Sequence, residues 1–219
     1  MIAAPIHLAG ERLMLDPAGA LYWPARRLLA VSDLHLEKGS SAARNGTLLP
    51  PWDTRETLDR LALLVRRYRP EILIALGDSF HDTGGATRLG AADTDRLRAI
   101  AVDRNLIWVL GNHDPEPAPH LPGAHVPEYA AGPLLFRHEA RRGATGEISG
   151  HFHPKARVEA RAGNISRACF VADSRRLLLP AFGTYTGGLD VRDPAIKHLF
   201  PRGGRAFLLG RERLFSFPL

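Results

Sequence analysis

RLLAVSDLH, residues 27–35, decides how this chain is read. An apolar run of strand length ends abruptly on an aspartate and a histidine, Asp33 and His35. The pattern recurs twice: EILIALGD ends on Asp78, and LIWVLGN ends on Asn112. Between the first two runs lies a helix. Asp53 and Glu56 have capping-box spacing, and Leu58, Leu61, Ala62, Val65 and Tyr68 follow at helical intervals. Arg66, Arg67 and Arg69 come next, and Pro70 stops the helix. A weaker helix is predicted over 92–103, with Leu97, Ile100 and Ala101 on one face. Strand–helix–strand–helix–strand order implies a parallel sheet buried on both faces.

After Asp114 the texture changes. Residues 115–127 are rich in Pro, His and Gly and read as a loop. Short strand-like pieces follow: GPLLFRH, ARVEARAG, ACFVAD, RRLLLPAF and AFLLGRERLFSF. Helical spacing returns only around 195–200. This half predicts a second sheet packed on the first. No internal repeat or linker divides the chain, so residues 1–219 are expected to form one α/β domain.

Bulk composition narrows the class. With 219 residues, 45% of them hydrophobic, the chain can bury a real core. Its net charge is +6 and its pI about 10.1. Only Lys38, Lys155 and Lys197 among the 29 basic residues are lysine. The arginine excess fits a polyanionic partner, since guanidinium forks match phosphate oxygens in pairs; it fits GC-rich coding equally well. Cys169 stands alone in an apolar run, reads as a core residue, and leaves no intrachain disulfide to argue for export. The first fifteen or so residues lack the basic start of a signal peptide, and no uncharged apolar run approaches the ~18 residues of a membrane span. A cytoplasmic protein without a membrane partner is the expectation.

The polar ends of these segments carry the chemistry. In an open α/β sheet, ligands gather beyond the carboxyl ends of the strands. The first run ends in Asp33-Leu34-His35, the second in GDSFHD (77–82), the third in GNHD (111–114). In the second half GPLLFRH ends on His138, and ISGHFHPKA (148–156) holds His151 and His153. Six of the ten histidines fall in these five places. If 151–153 were extended, its two imidazoles would face one side, which suits a shared metal target. Asp, His and Asn together offer oxygen and nitrogen but no thiolate, which suits Mn, Fe, Zn or Mg.

Asp33, His35, Asp78, Asn112, His138, His151 and His153 are too many ligands for one ion, and fit two. Two divalent ions about 3.5–4 Å apart clamp phosphate oxygens and lower the pKa of a bridging water toward about 7. Only Asp33 and Asp78 among these ligands are anionic, so the pair of ions keeps excess positive charge for hydroxide and a phosphate ester.

DLH, GD, GNHD, a lone His and GHFH, in that order over residues 33–153, resemble the calcineurin-like metallophosphoesterases. SDLHLEKG, LGDSFHD, GNHD, ISGHFHPKA and PAFGTYTGGLD look most like the ligase-associated DNA-damage-response endonuclease branch, a likeness that reaches residue 190. The resemblance implies an α-β-β-α sandwich of two mixed sheets flanked by helices. It implies a DNA phosphodiesterase using a metal-bridging hydroxide, with manganese as the expected metal. It also implies a repair setting beside a DNA ligase, a helicase and an exonuclease.

Site roles follow from the same likeness. Asp33, His35 and His153 would hold one ion, Asn112, His138 and His151 the other, with Asp78 bridging. The two histidines of GHFH would thus serve one ion each. His113 would face the scissile phosphate and protonate the leaving oxygen. Many phosphatases of this superfamily place an Asp three residues after the bridging Asp; here His81 stands there, followed by Asp82. GDSFH instead resembles DNA-break-repair nucleases, which would pair His81 with His113.

Other groups stay open between site and surface. Asp82 and Asp114 could orient histidines or cap turns. Lys155 and Arg157 could touch phosphate or simply be solvated, and Glu37 and Lys38 could pair at the mouth. Thr184 and Tyr185 could floor the site or form an ordinary turn. Arg66, Arg67, Arg69, Arg141 and Arg142 could line a DNA track or make a solvated face. His7, His120, His125 and His198 fit no motif. Two other functions compete. One is hydrolysis of a small nucleotide or a sugar-nucleotide lipid; the lipid enzyme would need a helical cap between GNHD and the lone His, where residues 114–138 leave little chain. The other is a metal-free scaffold, against which the complete ligand set speaks.

Overall fold

The computed structural model describes residues 2–160 and 163–219. Arg161 and Ala162, at the end of the ARVEARAG segment, lie outside the described residues. The chain opens with three antiparallel strands, β1 (Ala4–Leu8), β2 (Glu11–Leu15) and β3 (Leu21–Trp23). Sequence periodicity did not call for these. Then come β4 (Leu28–Ser32), α1 (Lys38–Arg44), α2 (Asp53–Tyr68), β5 (Ile72–Leu76), α3 (Gly85–Arg88), α4 (Ala91–Ala101), β6 (Asn105–Val109) and β7 (Ala124–Val126). The seven strands form one sheet in chain order, antiparallel through β4 and parallel from β4 to β7. The predicted parallel sheet is therefore mixed, and 124–126, read as loop, adds a strand to its edge.

The second sheet runs β15-β14-β12-β13-β10-β9-β8. Its strands are β8 (Glu128–Ala131), β9 (Leu134–Arg137), β10 (Glu147–Ser149), β11 (Lys155–Ala160), β12 (Gly163–Ala172), β13 (Arg176–Leu178), β14 (Arg205–Leu209) and β15 (Leu214–Pro218), with β11 pairing β12 off the main path. The short helix α5 (Pro194–Lys197) overlaps the first half of the segment predicted to be helical, 195–200.

Side-chain alternation explains the layering. Along β4, Leu29 and Val31 pack under α2 and α4, while Leu28 and Ala30 pack between the sheets. β6 divides the same way, Leu106 and Trp108 outward, Ile107 and Val109 inward. On the second sheet Phe170 and Leu177 face inward, while Cys169, Val171 and Leu178 pack against Ile196, Leu199 and Phe200. The result is the expected α-β-β-α sandwich of two mixed sheets, with a thin second helical layer. Each fully buried Leu or Ile contributes about 1.5–3 kcal/mol, so three apolar layers amply favour this stack over either sheet alone.

Two local expectations change. Asp53 is the first residue of α2, not its cap: its carboxylate accepts the Gly39 N–H at 3.0 Å and ties α2 to α1. Segment 151–153 is not extended, since His151 (φ 72°) and His153 (φ 46°) are both left-handed.

Candidate metal centre

β4, β5 and β6 are in register, Ser32 beside Leu76 and Leu76 beside Val109, so their carboxyl ends are level. Asp33, Asp78 and Asn112 leave from that edge. β9 and β10 are also parallel and deliver His138, and then His151 and His153, from the second sheet. Gly150 lets the two edges meet: a Cβ there would stand 1.8 Å from Ser32 Oγ and 2.5 Å from Asp33 Oδ2. All seven expected ligands converge.

Two groupings contain the expected ligands: Asp33, His35 and His153 form one, Asp78, His138 and His151 the other; a third brings His35 together with His81 and His113. In the first, His153 Nε2 lies 3.2 Å from His35 Nε2 and 3.3 Å from Asp33 Oδ1. In the second, His138 Nε2 lies 2.9 Å from Asn112 Oδ1, 3.1 Å from His151 Nδ1 and 3.3 Å from Asp78 Oδ2. Asp78 Oδ2 also stands 4.0 Å from His35 Nε2, between the groupings. A cation with bonds of about 2.1 Å to nitrogen and oxygen sets neighbouring ligand atoms about 3 Å apart. One Nε2–H on His138 cannot serve three acceptors, so hydrogen bonding alone leaves lone pairs facing one another. His138 Nδ1 is moreover buried without a hydrogen-bond partner. The donor set fits divalent metal ions.

Protonation states agree for all but one of the shifted groups. Burial pushes His35 down to about 3, leaving a neutral imidazole. Burial likewise lowers His151, helped by His138. Burial opposes ionisation of Asp78, yet the hydrogen bond and charge of His138, with the His113 N–H, hold it at about 2. His138 itself rises despite burial, because it faces the Asp78 and Asp33 carboxylates. The lowered His35 and His151 and the ionised Asp78 are in the forms that ligate, whereas His138 would give up its proton to a binding metal.

Backbone strain concentrates here. Asp33 (φ 53°), His35 (φ 43°), Asp78 (φ 45°), His151 and His153 all adopt left-handed conformations. Such residues cost roughly 1–3 kcal/mol each and persist only where surroundings over-determine them. The surroundings do so. His35 N–H donates to the Asp78 carbonyl (2.9 Å), His151 N–H to the Asp33 carboxylate (3.1 Å), and His113 N–H to Asp78 Oδ1 (2.9 Å).

His113 sits beside this cluster, its Nε2 3.9 Å from Asp78 Oδ2. Its expected partner is present in an unexpected form. His113 Nδ1 lies 2.7 Å from the backbone carbonyl of His81, while the two rings stack with centroids 5.4 Å apart. The pairing is thus through the carbonyl and the ring face. Asp82 turns away and takes a bidentate bond from Arg88, both contacts 2.8 Å. Asp114 accepts from the Ser79, Phe80 and Gly111 amides, joining the GD and GNHD loops; burial raises it to about 6.

Several open residues find structural partners. Glu37 accepts from Thr54 and Ser40 and not from Lys38. Thr184 bonds Thr57 at 3.2 Å, and Tyr185 is left-handed and 40% exposed beside it. Lys155 reaches the Thr186 carbonyl, and Arg67 is tied to buried Asp16. Arg157, Arg66, Arg69 and Arg142 are exposed. His120 bonds the Ala86 carbonyl and His125 stacks on Trp108. Sequence reading missed Ser32, whose hydroxyl donates to Asp33 Oδ2 at 2.5 Å and fixes that carboxylate. The Ser-Asp pair at a strand end was the available signal.

No curated protein matches the chain. Among solved structures, the nuclease MPE of Pseudomonas putida is similar, with 30% identity, a TM-score of 0.76, and coverage of 98% of this chain and 100% of the other. YfcE, a phosphoesterase from E. coli, shares 15% identity over 88% of this chain and 97% of its own, with a TM-score of 0.43. The calcineurin-like phosphoesterase profile matches residues 26–169, which contain every histidine and aspartate of the two groupings, and the chain belongs to that family.

Proposed function

We propose that this chain is a dinuclear-metal phosphodiesterase that cuts DNA, as an endonuclease of damage repair, with manganese as the working metal. The observation that carries the reading is the convergence of seven candidate ligands from two sheet edges on a site with His113 at its side. Likeness over nearly the whole chain to a protein described as a nuclease supports the choice of a nucleic-acid diester. Asp33, His35 and His153 would hold one ion and Asn112, His138 and His151 the other, with Asp78 placed to serve both. Bound there, the ions supply Lewis acidity that activates water and offsets phosphate charge.

The remaining chemistry belongs to the chain. The His81 carbonyl accepts Nδ1–H of His113, which fixes the tautomer and leaves Nε2 directed at the site. As imidazolium, Nε2–H donates to the phosphate oxygen that gains charge and then passes its proton to the leaving oxygen. Segment 115–137 carries only the short strands β7, β8 and β9 and no helical cap, so an elongated strand has free access. The repair partners implied by resemblance, a DNA ligase, a helicase and an exonuclease, belong to this same proposal.

The test is cleavage of labelled single-stranded DNA and of a nicked duplex with added Mn²⁺, against a chelated control, His113→Ala and Asn112→Ala. Metal-dependent cutting lost in both variants is expected. Hydrolysis of a small chromogenic diester with DNA left intact would move the assignment to a nucleotide or lipid substrate.

A further inference from the structure

A basic cleft lies at the other end of the second sheet from the metal centre. Its volume is about 610 Å³, and Arg142, Arg175, Arg176, Lys197, His198 and Arg202 line it. The one carboxylate in its wall, Asp173, is occupied by the Arg175 and Arg176 amides. Arg176 is 3% exposed beneath the floor, held by the Arg141 and Ala144 carbonyls, and its charge is matched by the buried Glu147 carboxylate at 3.8 Å, so the cleft's free charge comes from the other basic residues. Among the described residues no carboxylate forms a salt bridge with Arg142, Arg175, Lys197 or Arg202, whereas Arg67, Arg88, Arg96 and Arg98 elsewhere each have an acidic partner. Unneutralised arginines around a concave surface raise the local positive potential and draw polyanions.

Topology connects this cleft to the centre. Because β9 and β10 are parallel, segment 138–146 must run from the cluster end of the sheet back to its other end. Arg141 on that segment lines a notch of about 420 Å³ that also holds Asn112 and His138; its neighbour Arg142 lines the cleft. The segment is pinned, since the Arg141 N–H donates to the buried Glu147 carboxylate at 3.0 Å. β10 spans about 10 Å, roughly three base-pair steps at the ~3.4 Å axial rise of a duplex, and fewer nucleotides of an extended single strand.

We propose that the cleft binds the phosphodiester backbone of the substrate strand a few nucleotides to one side of the scissile bond. This rests on the nuclease reading above. It names the route the strand takes, over 139–146 and into the cleft, and the residues that grip it there.

Arg142→Glu/Arg202→Glu tests this, because both side chains are exposed and neither belongs to the metal centre. The variant should lose about tenfold or more in kcat/KM on a 20-nucleotide single strand, and its DNA binding should depend less steeply on salt. Turnover of bis(p-nitrophenyl) phosphate, too short to reach the cleft, should match wild type. Wild-type DNA cleavage and salt dependence in the variant would overturn the cleft alone. If wild type hydrolyses the small diester but neither cuts nor binds DNA, the nuclease reading fails and the cleft assignment falls with it. Competition by polyglutamate as strong as by DNA would mark the cleft as a protein-docking site and overturn the strand assignment.

Discussion

His113 Nδ1 meets the backbone carbonyl oxygen of His81 at 2.7 Å, while the His81 ring stacks at 20° to its own. A carbonyl can fix a tautomer as a carboxylate does, but it carries no charge. The partner that orients His113 is thus neutral, and the carboxylate beside it, Asp78, faces the other ring nitrogen at 3.9 Å.

The two histidines should therefore respond differently to truncation. His113→Ala should reduce diester turnover about 100-fold or more, the usual contribution of a positioned proton donor. His81→Ala keeps its carbonyl and should cost less than tenfold. Steady-state kinetics on one diester decides it, and equal losses would show that the His81 ring itself acts.

Gly77 adopts φ +71°, and a Cβ there would lie 2.1 Å from His138 Nδ1. Gly77→Ala should push His138 away from Asn112 and Asp78. We expect folding with a stability loss of roughly 1–3 kcal/mol and much weaker uptake of the second metal ion. Manganese titration by calorimetry reads this directly, and wild-type stoichiometry and affinity would contradict it.

Arg88, bonded to both oxygens of Asp82, holds that carboxyl well below the ordinary carboxylate range. A depressed folded-state pKa contributes stability above the unfolded value of about 4, and this is lost as pH falls further. The stability gap between wild type and Asp82→Asn should be constant near neutrality and shrink below about pH 4. Urea unfolding across that range measures it; a gap independent of pH would exclude the ion pair as the cause.

Asp16 is fully buried and accepts from the Ala18 amide, the Arg67 guanidinium and the Tyr68 hydroxyl. Asp16→Ala should cost about 2 kcal/mol or more by leaving these donors unpaired, with kcat unchanged. A lowered denaturant midpoint with intact activity would fit. Loss of DNA affinity in Arg67→Ala at unchanged stability would instead return Arg67 to a substrate track.

The sequence by itself determined the β4-α2-β5-α4-β6 order and brought out the candidate ligands. Both are local properties. Buried parallel strands need unbroken apolar runs such as 28–31 and 72–76, and metal chemistry needs lone-pair side chains at their ends. The three opening strands escaped because they are only three to five residues long, Pro5 stands inside β1, and they pair mainly with each other. Strand β7 escaped because three residues among prolines and glycines have no period to read.

Beyond what the family resemblance implied, only tertiary structure decided which imidazole faces which carboxylate. His151 and His153 join different groupings because each takes a left-handed turn, a conformation that no side chain announces and that the hydrogen bonds of Asp33 and the opposing sheet impose. The same holds for the His81 carbonyl and for the charge of the distal cleft. A backbone oxygen has no letter in the sequence, and an arginine becomes part of a basic surface only when folding leaves it without an acidic neighbour.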